Sequence, residues 1–244
     1  MAHAEGKITV ARPVQEVFDF IFNEGYTSYQ GDDLVRRDIC VEAIRLCSLL
    51  AGHGMTKQPN VHALLALMLL QASRLSTRVD AEGNLLLLAE QNRSQWDRRA
   101  IQAGLYHLEQ AAAGDELTEF HLQAGIAACH AVAESYEATN WKRILFYYDS
   151  LVLINQSPSI ALNRAVAVAM LKGPQAGIAA LDEVKNLSQL KRYYLLPATF
   201  GELYQRLGER EQAAVYYREA LDLMANEAER RFLLRKLESC HAQL

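Results

Sequence analysis

An all-α fold of antiparallel helical hairpins, with the C-terminal half stacked as a short solenoid, is predicted by three observations. The chain of 244 residues holds 35 Ala and 36 Leu but only 13 Gly and 5 Pro. Ala and Leu favour helix, and scarce Gly and Pro leave few tight turns. Apolar residues recur at three and four, as in Leu34, Ile39, Ala43, Leu46 and Leu50, and again in Ile101, Leu105, Leu108 and Ala112. Four of the five prolines, Pro13, Pro59, Pro158 and Pro174, stand where helices are expected to begin. Proline suits that position because its missing N–H would have no intrahelical partner there. A hydrophobic content of 50% excludes disorder. The same composition argues against a many-stranded sandwich or barrel.

In chain order, helices are predicted over 13–24, 33–51, 59–75, 95–113, 118–134, 141–155, 158–172, 174–186, 190–207, 210–224 and 226–241. Ser157 before Pro158 reads as an N-cap, and Ser94 with Asp97 and Asn226 with Glu229 have capping-box spacing. Short linkers favour antiparallel neighbours packed in sequence. Residues 76–94 form an irregular insertion with a turn at Asp80–Asn84, in which Gly83 takes positive φ. Residues 7–11 (KITVA) alternate like a strand. The implied organisation is an atypical segment over 1–22, a helical half over 23–134 that carries the insertion, and helical repeats with a capping helix over 135–244.

The last third carries a repeat. Gly201, Tyr204, Gly208, Ala213, Tyr217 and Ala220 have the spacing of a tetratricopeptide unit. Gly201 lets two helices approach, Gly208 releases the chain into the turn, and Ala213 and Ala220 keep the second helix close. Tyr204 and Tyr217 fill the gaps. Upstream copies are degenerate, but Trp141–Pro158 reads as the second helix of such a unit. Tyr148 and Tyr217 stand close to two periods of about 34 residues apart. The basic helix at 226–241 reads as a polar cap.

A longer resemblance follows from an ordered set of motifs: FIFNEGY around Asn23, DLVRRDICVEAIRL at 33–46, LLALMLLQASR at 64–74 and RVDAEGNLLLLAEQNRSQWDRRAIQAG at 78–104, then LQAGIAACHA at 122–131, SPSIALNRAVAVA at 157–169 and AERRFLLRKL at 228–237. Together they resemble the helical, tetratricopeptide-like C-terminal extension of one group of bacterial extracytoplasmic-function (ECF) sigma factors. The promoter-reading sigma domains of that family have no counterpart here. The opening GKITVARPVQEVFDF is instead similar to the first strand and helix of polyketide-cyclase-like lipid-binding folds. The resemblance implies a regulatory or interaction domain in bacterial transcription initiation, which binds a protein or peptide, its own sigma domains or RNA polymerase. A sensory helical module for a small ligand is the alternative.

The sequence offers no P-loop, GxSxG, GxGxxG or HExxH. No catalytic residue, metal site or cofactor is therefore expected. His121, Cys129 and His130 share a helix without an acidic third ligand, and Cys40, Cys47, Cys129 and Cys240 fit neither zinc spacing nor a small disulfide framework. Two groups of residues stand out. Asn23, Glu24, Asp80, Gln91 and Arg93 form the polar part of the family motifs. Asn23 and Glu24 end a helix that Gly25 closes in the left-handed region, and Asp80 shapes a turn. Gln91 and Arg93 either present donors to a partner or pin the helix near 95 with Trp96 beneath. Asn163 and Arg164 on helix 158–172, with Tyr193 and Tyr194 on helix 190–207, are the expected partner-binding face of the solenoid. At least one of Arg164, Tyr193 and Tyr194 is expected to be exposed. A net charge of −4 argues against direct nucleic-acid binding. The apolar run Ala63–Leu70 is far short of the roughly 20 residues a membrane span needs. With no signal peptide in the opening residues, a cytoplasmic protein is expected.

Overall fold

The structure is a computed structural model and describes residues 12–26, 36–81, 84, 86–187, 190, 193–223 and 227–241. Among these, eleven α-helices account for the regular structure, and no strand is present. They are α1 (Arg12–Tyr26), α2 (Arg37–Gly52), α3 (Pro59–Ala72), α4 (Arg98–Ala111), α5 (Glu119–Val132), α6 (Trp141–Ile154), α7 (Pro158–Lys172), α8 (Pro174–Val184), α9 (Leu195–Leu207), α10 (Arg210–Asp222) and α11 (Glu227–His241). Each of the eleven predicted segments holds one of them. The strand-like alternation at 7–11, Gly83 of the expected turn and the Asn226 cap lie outside the described residues.

Three local expectations are corrected. Helix α1 continues through Gly25 to Tyr26, so Gly25 does not end it. Helix α4 begins three residues later than predicted, because Asp97 and not Ser94 caps it. Asp97 Oδ1 accepts from the N–H groups of Arg99 and Ala100 at 2.9 and 3.1 Å. Helix α9 begins at Leu195, so Tyr193 and Tyr194 precede it rather than lie on it. The prolines at 59, 158 and 174 do occupy first helical positions.

The chain divides into two compact units. The first comprises residues 1–78 and 86–139, the second 79–85 and 140–244. In the first, α3 is the central helix and packs against α1, α2, α4 and α5. It is buried all round from Val61 to Met68, as the apolar run that starts at Ala63 requires, and that burial takes in His62. Gly104 lets α4 lie close to it, since a Cβ there would stand 2.7 Å from Leu70 Cγ. Cys40 and Cys47 are buried against α1 and α3 and donate to the carbonyls of Phe22 and Val61. None of the four cysteines, all buried, is in a disulfide.

In the second unit, each of α6 to α11 packs on its neighbour in sequence. The connections are minimal. Gly173 alone separates α7 from α8, at φ 94°, and Gly208 leads from α9 to α10 at φ 82°. Both angles favour glycine, because a Cβ strains the left-handed region. At Gly177 a Cβ would stand 2.4 Å from Ala169 Cβ and 3.0 Å from Leu203 Cδ1. Ala213 and Ala220 are fully buried.

Candidate functional site

The irregular segment after α3 is held at its ends rather than along its length. Ser73 O accepts from Asp97 N at 2.8 Å, and Trp96 Nε1 donates to Thr77 Oγ1 at 3.0 Å. Leu86 N donates to Arg78 O at 2.9 Å. Two short 3-10 turns, Leu75–Thr77 and Arg93–Gln95, flank the excursion. Arg93 is spent on the end of α5: its Nη1 donates to His130 O and, at 3.2 Å, to Ala133 O. A cation suits a helix C-terminus, where the last carbonyls point outward unpaired. Its guanidinium also lies 4.6 Å above the Trp96 ring. Gln91 is buried and donates to Leu86 O at 3.2 Å. Neither side chain bonds the helix near 95 that they were expected to pin: Arg93 holds the end of α5, and Gln91 holds the insertion itself.

The structure scatters the other polar motif residues. Asn23 is exposed and donates to Asp19 Oδ2 at 3.0 Å. Burial, together with the charge of Glu119, raises that Asp19 carboxyl to about 6. Glu24 is partly exposed on α1. Asp80 belongs to the second unit. Its carboxylate accepts from Asn84 N at 2.6 Å and Asn84 Nδ2 at 2.9 Å, and Arg235 of α11 stands 4.0 Å away. His121 forms a capping box with Thr118, with Thr118 N and Oγ1 at 3.2 and 2.8 Å from its Nδ1.

Two clusters were not legible in the sequence. The first surrounds Tyr26. The Arg78 guanidinium stacks on its ring at 3.8 Å and donates to its carbonyl oxygen, and the Arg74 guanidinium lies 5.5 Å from the same ring. Burial works against the charge of Arg78, as does the nearby charge of Arg74. The second pairs α3 with α4: His62 Nδ1 and His107 Nδ1 are 2.8 Å apart, and the rings stack at 5.0 Å. One ring must donate and the other accept, so the pair holds at most three ring protons. Burial lowers both pKa values below 6.5.

On the second unit, Asn163 is exposed on α7, while Arg164 Nε donates to Asp149 of α6 at 2.7 Å. The Arg164 side chain is 35% exposed. Tyr193 and Tyr194 are half-buried, with ring centroids 6.3 Å apart. A more continuous feature lies beside them. Phe200, Tyr216 and Tyr204 stack in a ladder, at 4.9 Å and 15° for the first pair and 5.4 Å and 10° for the second. Phe200 and Tyr216 line an open groove of about 360 Å³, with Leu196, Pro197, Lys185 and Glu219 around it. Ladder spacing across two helices gave no periodic signal, because its residues come from separate helices.

Among the described residues no group of three or more His, Cys, Asp or Glu is placed to hold a metal ion. No helix among them is long and apolar enough to cross a membrane.

Residues 11–112 match the model of a family of unknown function, DUF6596. Over 223 residues the chain is 35% identical to an uncharacterized protein of Rhizobium meliloti (strain 1021), a match that takes in 91% of this chain and 52% of that protein. The chain thus spans about half the length of the curated relative it matches.

Proposed function

We propose that this chain is a non-catalytic interaction domain related to the C-terminal extensions of ECF sigma factors. It acts in the regulation of transcription initiation by binding a protein partner, foremost sigma domains of that family. The ordered motifs carry the link to transcription, and the longer relative leaves room for further domains. In this reading the second unit is a short tetratricopeptide-like solenoid. Gly201 against the Tyr217 ring, the left-handed Gly208 and the buried Ala213 and Ala220 support it.

The observation that carries the binding claim is the open groove walled by the half-buried Tyr216, stacked on the buried Phe200, and rimmed by a cation at Lys185 and an anion at Glu219. Aromatic side chains combine contact area with low conformational entropy, and they dominate protein interfaces. Asn163, Arg164, Tyr193 and Tyr194 extend that face in the proposal. The test is calorimetric titration of the chain with a two-domain sigma fragment of the family. A saturable complex is expected. Because Lys185 is held by Asp182 at 2.7 Å, the test reverses Glu219 alone: the charge reversal Glu219→Lys is expected to weaken the complex by about 1–2 kcal/mol while leaving the melting temperature unchanged. No saturable binding, or an affinity indifferent to the reversal, contradicts the reading. A second reading, a sensory module for a small ligand, is supported by the guanidinium cluster of the first unit.

A further inference from the structure

Three arginines gather at the end of α3 with little to neutralise them. Arg74 and Arg78 share the Tyr26 ring, with guanidinium carbons 5.5 and 3.8 Å from its centroid. Arg93 lies over Trp96 at 4.6 Å. The hydrogen bonds from Trp96 Nε1 to Thr77 Oγ1 at 3.0 Å and from Asp97 N to Ser73 O at 2.8 Å tie the Arg93–Trp96 pair to the stretch that carries Arg74 and Arg78, and the charge of Arg74 disfavours that of both other arginines. Among the described residues no carboxylate stands within ion-pair distance of any of the three. The α5 carbonyls of His130 and Ala133 offset part of the Arg93 charge, and the exposed Glu137 adds to that at longer range.

Donors remain. Arg93 Nη2 and Tyr26 Oη are both buried and make no hydrogen bond among the described residues, and Tyr26 is 9% exposed. For Arg74 the described contact is a π face, which satisfies none of its N–H groups. Desolvated like charges repel and cost free energy unless an opposite charge joins them. A guanidinium fork matches the two oxygens of a carboxylate or phosphate, and such charge-assisted bonds are about twice as strong as neutral ones.

We propose that Arg74, Arg78 and Arg93, with the Tyr26 hydroxyl, form a binding site for the oxyanion group of a small molecule, a carboxylate or a phosphate. Arg78 and Arg93 are fixed by their backbone bonds and set the field. Arg74, partly exposed, is the arm that meets the ligand. The site deepens the small-ligand reading alone. It lies wholly in the first unit, so it stands or falls independently of protein binding by the second.

The test uses the full chain with two probes, inorganic phosphate and succinate, each against sodium chloride of equal ionic strength. Melting temperature and calorimetric binding are read together. A saturable rise in melting temperature with one probe or both, absent with chloride, is expected, and the preferred probe identifies the headgroup. Arg74→Gln is expected to weaken binding at least about tenfold. Without ligand its melting temperature should hold or rise, because the substitution relieves repulsion; a packing role would lower it. Tyr26→Phe keeps the ring beneath both guanidiniums and is expected to weaken binding several-fold, so the site remains testable if Arg74→Gln folds poorly. No saturable stabilisation by either probe, stabilisation equal to that by chloride, or affinity unchanged in both variants overturns the site.

Discussion

At the scale of single residues, the contacts made by small side chains separate what was legible from what was not. Gly201 could be named from spacing, because a tetratricopeptide hairpin needs close approach at that position. In the structure an added Cβ would stand 2.8 Å from Tyr217 Cδ1 and Cε1. The ring has little freedom to retreat, since Tyr217 is 1% exposed and its hydroxyl donates to Gln205 Oε1 at 2.9 Å. Gly201→Ala is therefore expected to cost about 1–3 kcal/mol, an overpacking penalty that outweighs the helix propensity gained. Urea denaturation checks it, and a wild-type midpoint would show that the helices are not in contact there. The Tyr26 and His62 clusters had no such signal. Tyr26 and Arg78 lie 52 residues apart in sequence, and His62 and His107 45 residues apart.

At the scale of elements, helix positions followed from periodicity while helix starts depended on competition between nearby polar side chains. Ser94 and Asp97 have capping-box spacing, yet Ser94 is captured by Asn92. Asn92 Oδ1 accepts from Ser94 N at 3.0 Å and from Ser94 Oγ at 2.7 Å. That closes a 3-10 turn, and the cap of α4 falls to Asp97. Asp97→Ala is expected to destabilise by about 1 kcal/mol, whereas Ser94→Ala, at an exposed turn, is expected to cost less. Thermal unfolding of the two variants gives the order, and the reverse order would restore Ser94 as the cap. The start of α9 shows the same limit. Periodicity extended that helix back to 190, but the helix begins after the Tyr193–Tyr194 pair.

At the scale of the whole molecule, buried and partly buried histidines set the response to acid. Burial lowers the pKa of His62, His107 and His121, and burial with the charges of Arg74 and Arg93 brings His130 to about 3. Each would titrate near 6.5 in the unfolded chain. Below that pH the unfolded state binds more protons, so stability is complete above about 6.5 and falls as the solution is acidified. For His130 the loss continues down to about 3. Asp19, raised to about 6 from 3.8, works the other way, because the folded state then binds the extra proton between those values. Four groups outweigh one. The unfolding free energy is expected to be lower at pH 5 than at pH 7.5, by at most about 1.4 kcal/mol per histidine per pH unit. His107→Gln is expected to flatten the profile. Denaturant titrations across that range check it, and a flat wild-type profile would contradict the burial of these rings.

Composition and spacing along the chain specified the all-α class, each of the eleven helices, the irregular insertion after α3 and the tight approach at Gly201. Each is a local property, encoded in the spacing of apolar, small and proline residues along one stretch of chain. How the polar residues of that insertion are used depended instead on helix packing. Arg93 was read as a donor to a partner or a pin of the helix near 95, and its bonds to the end of α5 follow from where that C-terminus comes to lie. The convergence of Arg74, Arg78 and Arg93 depends on helix packing too, because repulsion among side chains from separate turns acts through space and leaves no period in the sequence.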